Sequence, residues 1–407
     1  MPRPLANIRV LDLTRVLAGP WCTQTLADLG AEVIKIERPG AGDETRTWGP
    51  PWLRDAKGQD TAEAAYYLSV NRGKKSVTLD LSRPVGQRLA RALAATCDVL
   101  VENYKVGDLA RYGLGYDDVR GLQPRIVYCS LSGFGQDGPY ASRPGYDFVF
   151  QAMSGIMSIT GERDDMPGGG PQKVGIAVTD VMGGMYATVA VLAALRHRDQ
   201  TGEGQYIDLG LFDGAVAFCA NQILNYWCSG DVPHRHGNAH KNIVPYQVFA
   251  ASDGPMVLAV GNDGQFAAFC RVAGHEELVA DPRFATNPDR VRNRELLVPI
   301  VAAIVAGRTL AAWIEPLTAA GVPCAAVNDL RQVFDDPQVR HRGMRVDIPH
   351  PAGVPCPTVA SPLRFSATPI EYTMPPPMLG QHTREVLGEM LGLGAVELDA
   401  LADEGAI

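Results

Sequence analysis

Several patterns that would point to a common function are missing from this chain of 407 residues. Its eight cysteines are scattered and form no Cys-x-x-Cys motif, so neither a zinc site nor a disulfide framework is indicated. The net charge of −8 disfavours a nucleic-acid surface. No long uncharged apolar stretch predicts a membrane span, and the N-terminus lacks a signal-peptide core. We therefore expect a cytoplasmic protein with buried, reduced thiols and no nucleic-acid or membrane partner.

Nucleotide-binding motifs are missing as well, although the chain begins with a βαβ pattern. Residues 8–14 and 32–37 are predicted strands on either side of a predicted helix over 19–30, which indicates a parallel pair. The turn at 14–20 contains no Gly-x-Gly-x-x-Gly, and no Walker A sequence occurs. Glu37 ends the second strand, where a ribose-binding acid would lie, but a single acid is a weak signal. We therefore do not expect bound NAD.

The composition, at 46% hydrophobic and 20% charged residues, is that of a globular protein. The βα pattern repeats, which predicts an α/β fold with a large Rossmann-like parallel sheet. Further strands are predicted at 76–81, 98–102, 125–131 and 205–209, and a hairpin at 246–260. We predict a large α/β domain over 1–225, to which 330–407 returns, and a small α+β domain over 226–329.

Asp180 stands where an apolar run meets the beginning of a long apolar helix. The unpaired N–H groups of a first helical turn and the helix dipole favour an ionised carboxylate at this place. Gly183 and Gly184 are predicted to leave room for a ligand. An ionised, accessible carboxylate on a rigid element is a candidate nucleophile. Aspartate is also a favoured N-cap residue, so the local pattern leaves a capping role open.

Basic residues near the ends of predicted strands form a second candidate site. Because ligands of open α/β sheets bind beyond the carboxyl ends of the strands, Arg38 and Lys105 suit a phosphorylated ligand. Ordinary surface charge is the alternative interpretation. Arg15 and Arg46 lie in loops near the same edge and are candidates to hold a carboxylate. The histidines at 234, 236 and 240 match no zinc-ligand spacing, so we expect a loop that lines a pocket and no metal.

Short motifs follow one another along the chain, at residues 10–14, 18–20, 29–37, 42–46, 71–76, 98–103, 145–147 and 379–383. No single motif is decisive, but the ordered set strongly resembles the class III CoA-transferase family, which includes alpha-methylacyl-CoA racemase. Within the family, segments 13–20, 47–51, 67–72 and 243–247 look most like the succinate–hydroxymethylglutarate (glutaryl-CoA) branch.

The resemblance implies a covalent mechanism on Asp180. In such enzymes an aspartate attacks the donor thioester to give an acyl–aspartyl anhydride, and CoA thiolate then forms an aspartyl-CoA thioester that the acceptor acid opens. The resemblance also implies an interlocked homodimer, with CoA as a substrate rather than a permanently bound cofactor. The positions that it implies for CoA binding are Val16, Arg38, Arg72, Lys74, Lys75 and Lys105.

Two positions depart from other branches of the family. Leu17 stands where the formyl-CoA branch carries a glutamine, which argues against formyl or oxalyl chemistry. Tyr146, next to Asp147, stands where the racemases carry a histidine, and tyrosine is a poorer acid/base near neutral pH. A racemase-like enzyme and a non-catalytic CoA-binding homologue are the alternatives to a transferase.

We therefore expect transfer of CoA from a dicarboxylyl-CoA, succinyl-CoA in the first place, to glutarate, hydroxymethylglutarate or a similar short diacid. Each substrate has a distal carboxylate that must be held. Arg15, Arg46 and His240 are the candidates, because Arg offers a planar bidentate fork for a carboxylate. Tyr146 and Asp147 are expected to line the same substrate site.

Overall fold

The computed structural model describes residues 2–407. Its strands are β1 (Arg9–Leu13), β2 (Glu32–Glu37), β3 (Trp52–Arg54), β4 (Asp60–Ala64), β5 (Lys74–Thr78), β6 (Val99–Glu102), β7 (Val127–Ser132), β8 (Tyr206–Gly210), β9 (Tyr246–Ala251), β10 (Gly254–Ala259), β11 (Cys324–Ala326), β12 (Arg345–Pro349) and β13 (Pro355–Val359). Its helices are α1 (Ala18–Asp28), α2 (Ala65–Leu68), α3 (Pro84–Ala94), α4 (Tyr116–Leu122), α5 (Asp147–Met153), α6 (Ile156–Ile159), α7 (Val178–Thr201), α8 (Leu211–Phe218), α9 (Ala220–Ser229), α10 (Asp263–Ala273), α11 (Glu277–Ala280), α12 (Asn287–Arg292), α13 (Arg294–Ala306), α14 (Leu310–Ala319), α15 (Leu330–Asp335), α16 (Pro337–His341), α17 (Thr383–Leu391) and α18 (Ala395–Asp403).

The main sheet has six strands in the order β5-β2-β1-β6-β7-β8, and every neighbouring pair is parallel. The predicted mixed α/β fold with a parallel sheet is therefore confirmed. The chain starts in the middle, runs to one edge and then returns to fill the other side. The direction reverses between β1 and β6, and ligands of such sheets bind at this switch point, beyond the carboxyl ends of the strands.

Alternate residues of the central strands point into two different cores, because side chains of a strand alternate between the faces of its sheet. Leu11 and Ile34 pack into the core on one face, and Val10 and Val33 pack into the core on the other face. Helices cover both faces, which is why these strands carry apolar residues in unbroken runs. Six of the eight cysteines are buried, and all eight are free thiols.

Helix α7 is long and apolar enough to cross a membrane by length and composition alone. Its best 18-residue window is apolar, but the run without a charged residue spans only residues 181–195, so the expectation that no long uncharged apolar stretch occurs is not contradicted. In this structure 56% of that window is buried inside the protein. The helix packs against α1, α8 and β7, as the core helix of a doubly covered sheet does.

Two glycines near the beginning of α7 allow this close packing. A Cβ atom on Gly183 would lie 2.2 Å from Leu211 Cδ2, and one on Gly184 would lie 2.6 Å from the carbonyl oxygen of Ala18. Neither distance leaves room for a methyl group. The prediction that these glycines give space to a ligand was therefore wrong, since they give it to α8 and α1.

The chain divides into two compact units. Among the described residues, one contains 2–156, Val174–Leu224 and Gln338–Ile407, and the other contains Met157–Lys173 and Asn225–Pro337. The second unit has an antiparallel sheet in the order β11-β10-β9, which includes the predicted hairpin. Its core surrounds Trp313 and Phe269.

Residues 157–173 belong to the second unit, whereas the division predicted from the sequence left them in the large domain. Two arginines of this unit account for the difference. Arg235 donates a hydrogen bond of 3.1 Å to the carbonyl of Ser158, and Arg163 lies 3.3 Å from Glu295.

Candidate active site

Asp180 is the third residue of α7 and lies in its first turn, while Ala177 is the N-cap. The alternative interpretation of Asp180 as the helix cap is therefore wrong. Asp180 is only 8% exposed, yet within residues 2–407 no group donates a hydrogen bond to its carboxylate or pairs with it. Other buried acids do have such partners, for example Asp12 with Thr23 and Glu37 with Arg46. A buried carboxylate without a partner is costly, and it is free to interact with an incoming group.

Burial raises the pKa of Asp180 to about 7, and the negative charge of Asp147 adds to this effect. The sequence led us to expect an ionised carboxylate, because the helix N-terminus favours the charged form. In the structure, burial and the charge of Asp147 act against the charged form and raise the pKa above its ordinary value. Both the protonated and the ionised form of Asp180 are therefore accessible near neutral pH.

Asp147 provides the cap that α7 lacks in its own sequence. Its Oδ1 accepts hydrogen bonds from the backbone N–H of Thr179 at 2.8 Å and from the Thr179 hydroxyl at 2.7 Å. Its Oδ2 accepts a hydrogen bond from Nε2 of Gln151 at 2.7 Å. Asp147 begins α5 and Gln151 follows four residues later, a spacing that places both side chains on one face of that helix. This spacing is the signal by which the sequence could have identified Gln151.

The loops that follow β1 and β6 are joined at the switch point of the sheet. Asn103 accepts a hydrogen bond from the backbone N–H of Arg15 at 3.0 Å and donates one to its carbonyl at 2.8 Å. Val16, the next residue, has a φ of 69°, which is rare for a β-branched residue and costs on the order of 1–3 kcal/mol. Its backbone N–H points to Oδ1 of Asp43 at 3.3 Å. Such strain persists where the surroundings enforce it, and it clusters at functional sites.

Asp180 lies close to this switch point. Gly184 contacts the first turn of α1 at Ala18, and Asp180 is on the same face of α7, one turn earlier. Burial raises the pKa of Tyr66, and the charges of Asp180, Asp147 and Asp43 raise it further, so this hydroxyl remains protonated in their neighbourhood. We call Asp180, Asp147, Tyr66 and Val16 the Asp180 site.

Two of the predicted CoA-binding cations remain available at the same edge of the sheet. Arg38 follows β2 and Lys105 follows β6, and both are exposed without an ion pair within residues 2–407. Because β1 alone separates these strands, the two loops begin about 10 Å apart. Lys105 also lines a cavity of about 150 Å³, together with Glu102, Tyr128 and Tyr206. Burial raises the pKa of Glu102 to about 7.

Arg72 and Lys74, which were predicted to bind CoA, are instead buried and paired. Arg72 makes two hydrogen bonds to the carboxylate of Asp28, at 2.6 and 3.0 Å. Lys74 lies 3.1 Å from Asp12 and donates a 2.9 Å hydrogen bond to Asn71. Both cations therefore help to hold the fold, and their predicted contact with CoA stays a prediction.

Lys75 is partly exposed but is also paired, with Glu32 at 3.1 Å and with Glu385 at 2.8 Å. It lies beside Ile34 in the ladder between β5 and β2, near the start of β2, whereas Arg38 follows the end of that strand. The segment 72–75 therefore lies at the amino-terminal ends of the strands, whereas the switch-point loops follow their carboxyl ends. The sequence alone did not distinguish the two edges.

Arg46 was a candidate for the distal carboxylate of the substrate, but it binds a carboxylate of the protein itself. It donates two hydrogen bonds of 2.8 Å to Glu37 and one of 2.6 Å to the hydroxyl of Tyr67. Glu37, which occupies the position of a ribose-binding acid in NAD-binding folds, is therefore engaged by Arg46. Arg15, the other arginine candidate, pairs with Glu44 in an exposed position and is free to exchange partners.

The remaining predicted residues lie in different environments. Tyr146 is the N-cap of α5 and is 66% exposed, while Asp147 beside it is buried. His240 belongs to the second unit, where its ring lies 5.2 Å from that of Tyr246 and its Nδ1 accepts a 3.1 Å hydrogen bond from Asn242. Its role in holding a carboxylate stays a prediction. Within the described part of the chain, no group of three or more His, Cys, Asp or Glu residues is arranged to hold a metal.

A buried, unpartnered carboxylate beside the switch point of a parallel sheet agrees with the family motifs. The model of CoA-transferase family III matches residues 5–383. The chain belongs to this family. This CoA-transferase is 47% identical to the succinate–glutarate CoA-transferase of Agrobacterium fabrum over 95% of its own length and 96% of that protein. It is 44% identical to the succinyl-CoA:glutarate CoA-transferase of Mus musculus, over 100% of its own length and 90% of that protein.

A solved structure supports the fold of the transferase over nearly its whole length. The crystal structure of a CAIB/BAIF family protein from Brucella suis superposes with a TM-score of 0.83 and 44% identity. The match covers 96% of this chain and 100% of that chain.

Because the pKa of Asp180 is raised in the folded transferase, ionisation of this group lowers the free energy of unfolding. The unfolded chain ionises this group near its ordinary pKa of 3.8, whereas the folded chain keeps the proton until the pH approaches 7. Stability is therefore unaffected below pH 3.8 and falls as the pH rises from 3.8 to 7, by up to about 4 kcal/mol. We expect Asp180→Asn to be more stable than the wild type at pH 8 and to differ from it by only about 1 kcal/mol at about pH 4.5, as measured by urea denaturation.

Asp12→Asn is the matched control, because its pKa is shifted in the opposite direction. Burial would raise the pKa of Asp12, but Lys74 and Lys35 hold it at about 2. This substitution removes a paired charge and should destabilise the protein at pH 8. A loss of stability in both variants at pH 8 would contradict the charge cost assigned to Asp180.

Proposed function

We propose that this CoA-transferase moves CoA from succinyl-CoA to glutarate. Both curated relatives described above carry this pair of acids in their names, and each aligns with at least 95% of the chain. The two substrates differ by one methylene group, which a single site can accept because such a difference changes binding by only about 1–3 kcal/mol. Hydroxymethylglutarate has the same five-carbon diacid chain as glutarate and is a further proposed acceptor.

The observation that carries the proposal is the buried carboxylate of Asp180, which has no partner inside the protein. Neighbouring polar groups form hydrogen bonds with one another instead, as Thr179 and Gln151 do with Asp147. A carboxylate with a pKa of about 7 is a better nucleophile than an ordinary one, and it is still substantially ionised at neutral pH.

In the proposed reaction, an Asp180 oxygen attacks the thioester carbon of succinyl-CoA, the C–S bond breaks, and CoA leaves as its thiolate. The thiolate then attacks the Asp180 carbonyl carbon of the anhydride, which releases succinate and leaves an aspartyl-CoA thioester. A glutarate carboxylate then attacks the carbonyl carbon of this thioester, the C–S bond breaks, and an aspartyl–glutaryl anhydride forms. The thiolate attacks the glutaryl carbonyl carbon of that anhydride, which gives glutaryl-CoA and releases Asp180 as a carboxylate. No net proton is consumed, so the site needs no separate general base.

We further propose that Arg38 and Lys105 attract the phosphates of CoA. They are exposed cations at the carboxyl ends of β2 and β6, and arginine in particular matches the geometry of phosphate oxygens. The strained turn at half-buried Val16 follows β1, which lies between β2 and β6, and so stands at the switch point. Arg15 is the proposed contact for the distal carboxylate, because its exposed pair with Glu44 is weak.

A homodimer is also proposed, interlocked as the family resemblance implies. Helices α5, α7 and α8 pack together and expose several large apolar side chains, which a partner chain would cover. These exposed residues are Phe148, Val149, Met153, Met185, Tyr186, Val189, Val216 and Phe218. We propose that the two compact units of each chain are its two domains, with residues 157–173 and 330–337 belonging to the small domain rather than to the large one.

The proposal is tested by incubating the purified chain with succinyl-CoA and, in separate reactions, with glutarate, hydroxymethylglutarate, adipate or butyrate. Mass spectrometry of the CoA esters should show glutaryl-CoA formed at least ten times faster than butyryl-CoA, because butyrate has no distal carboxylate. Light scattering on the same preparation should give the mass of two chains. Equal rates with glutarate and butyrate would contradict the assignment of diacids as substrates.

A further inference from the structure

Gln151 joins the two segments that hold the beginning of α7 in place. It is fully buried at 0% exposure. Its Nε2 donates a 2.7 Å hydrogen bond to Asp147 Oδ2, and its Oε1 accepts a 2.9 Å hydrogen bond from the backbone N–H of Val174. Nε2 also lies 3.5 Å from the carbonyl of Ile176. The side chain thus connects α5 with the segment 174–176, directly before the turn that carries Asp180.

The hydrogen bonds of the Asp147 side chain all run toward Asp147, which acts only as an acceptor. Both of its oxygens accept hydrogen bonds, from Gln151 on one side and from Thr179 on the other. These three donors, two from Thr179 and one from Gln151, hold the Asp147 carboxylate in one position and orientation. Gln151 also cannot reverse its amide, because the backbone N–H of Val174 requires the oxygen in its present position.

We propose that Gln151 is a positioning residue of the transfer reaction, which acts through Asp147 to fix the negative charge beside Asp180 and the position of the first turn of α7. This inference rests on the proposed role of Asp180 as nucleophile. Gln151 itself touches neither substrate nor the reacting atoms. Its effect is to keep a charge and a backbone segment in place, and a displacement of about 1 Å at a reacting group can cost about 100-fold in rate.

The groups around Asp180 make Asp147 the main charge that can alter its ionisation. The charge of Asp147 in α5 raises the pKa of Asp180, and the charge of Asp180 in turn helps to raise the pKa of Tyr66 in α2. The other helices packed on the beginning of α7 bring uncharged groups, namely Ala18 and Trp21 of α1 and Leu211 of α8. Burial raises the pKa of Asp180 first, and the charge that Gln151 holds on Asp147 is the second cause.

The test exchanges the two side chains while keeping their hydrogen bonds. Asp147→Asn alone places its amide against the Gln151 amide and removes the charge. In the double variant Asp147→Asn/Gln151→Glu, the new amide donates to the new carboxylate, which still accepts from the backbone N–H of Val174. The negative charge has then moved from position 147 to position 151, farther along α5 from Asp180. Gln151→Met removes all of these hydrogen bonds at similar side-chain size.

We expect Gln151→Met to lower kcat by about 10- to 100-fold with the KM for succinyl-CoA within about threefold of the wild type. Asp147→Asn should lower kcat further, and the double variant should recover at least about tenfold over Asp147→Asn. The pH at which kcat/KM reaches half of its plateau should fall by about one unit in the double variant, because the charge is more distant. Thermal melting of each variant shows whether it is folded.

A double variant that melts like the wild type but has the activity and the pH midpoint of Asp147→Asn would overturn the inference. So would Gln151→Met with unchanged kcat and pH midpoint, because the hydrogen bonds would then have only a structural role. Failure of the proposed function is recognised separately. In that case the wild type forms no glutaryl-CoA, and Asp180→Ala does not differ from it, which overturns both proposals.

Discussion

Replacement of Asp180 by asparagine should lower kcat for CoA transfer by about 10,000-fold or more. The amide has no anionic oxygen to attack the thioester, and no other acid in the Asp180 site is free to replace it, because Asp147 is held by Thr179 and Gln151. Removal of a covalent nucleophile in other enzymes costs factors of this size. Succinyl-CoA should bind with a Kd within about threefold of the wild type, because the carboxylate acts on the thioester and not on the phosphates.

A second variant and a matched control complete this measurement. Asp180→Ala should be as inactive as Asp180→Asn, and it cannot regain an aspartate by hydrolysis of the side-chain amide. Asp199→Asn makes the same chemical change near the other end of α7, where the carboxylate is exposed, and should retain full activity. Hydroxylamine added during turnover should label Asp180 in the wild type alone, as read by peptide mass spectrometry. Residual activity above about a tenth of the wild type would exclude Asp180 as the nucleophile.

Arg46→Met should cost about 3–5 kcal/mol of unfolding free energy, the second large effect that we expect. The substitution leaves the buried carboxylate of Glu37 without the two hydrogen bonds that balance its charge. Burial would raise the pKa of Glu37, and the bonds and charge of Arg46 hold it below its ordinary value. The guanidinium also lies 3.6 Å from the ring of Tyr67, so its packing is lost together with its charge. Urea denaturation at pH 7 measures the loss.

Arg15→Met is the control, since its pair with Glu44 has both side chains more than 40% exposed. Its loss should stay within about 1 kcal/mol, because water screens an exposed pair. The double variant Arg46→Met/Glu37→Gln should recover part of the stability, because it removes the charge that Arg46→Met leaves unpaired. If Arg46 instead held the substrate, its replacement would raise the KM for diacids without a comparable loss of stability.

Arg15 and Arg46 show that position in a loop does not by itself reveal which arginine is available to bind a substrate carboxylate. Arg15 and Arg46 occupy similar Gly- and Pro-rich segments, and both were reasonable candidates to hold a carboxylate. Their partners, Glu44 and Glu37, decide between an exchangeable surface pair and a buried one. The difference arises from the 3-10 turn at Glu44–Thr47, which directs Arg46 inward toward the end of β2.

The sequence by itself determined the parallel sheet, because alternating and continuous apolar runs reflect local burial on its two faces. It also determined the family and the position of Asp180, because the order of the motifs can be read along the chain without knowing any tertiary contact. Only the tertiary structure decided the ionisation of that residue, since desolvation and the charge of Asp147 depend on groups brought together from distant parts of the chain. It likewise decided which cations remain free, because pairs such as Arg72 with Asp28 join residues 44 positions apart.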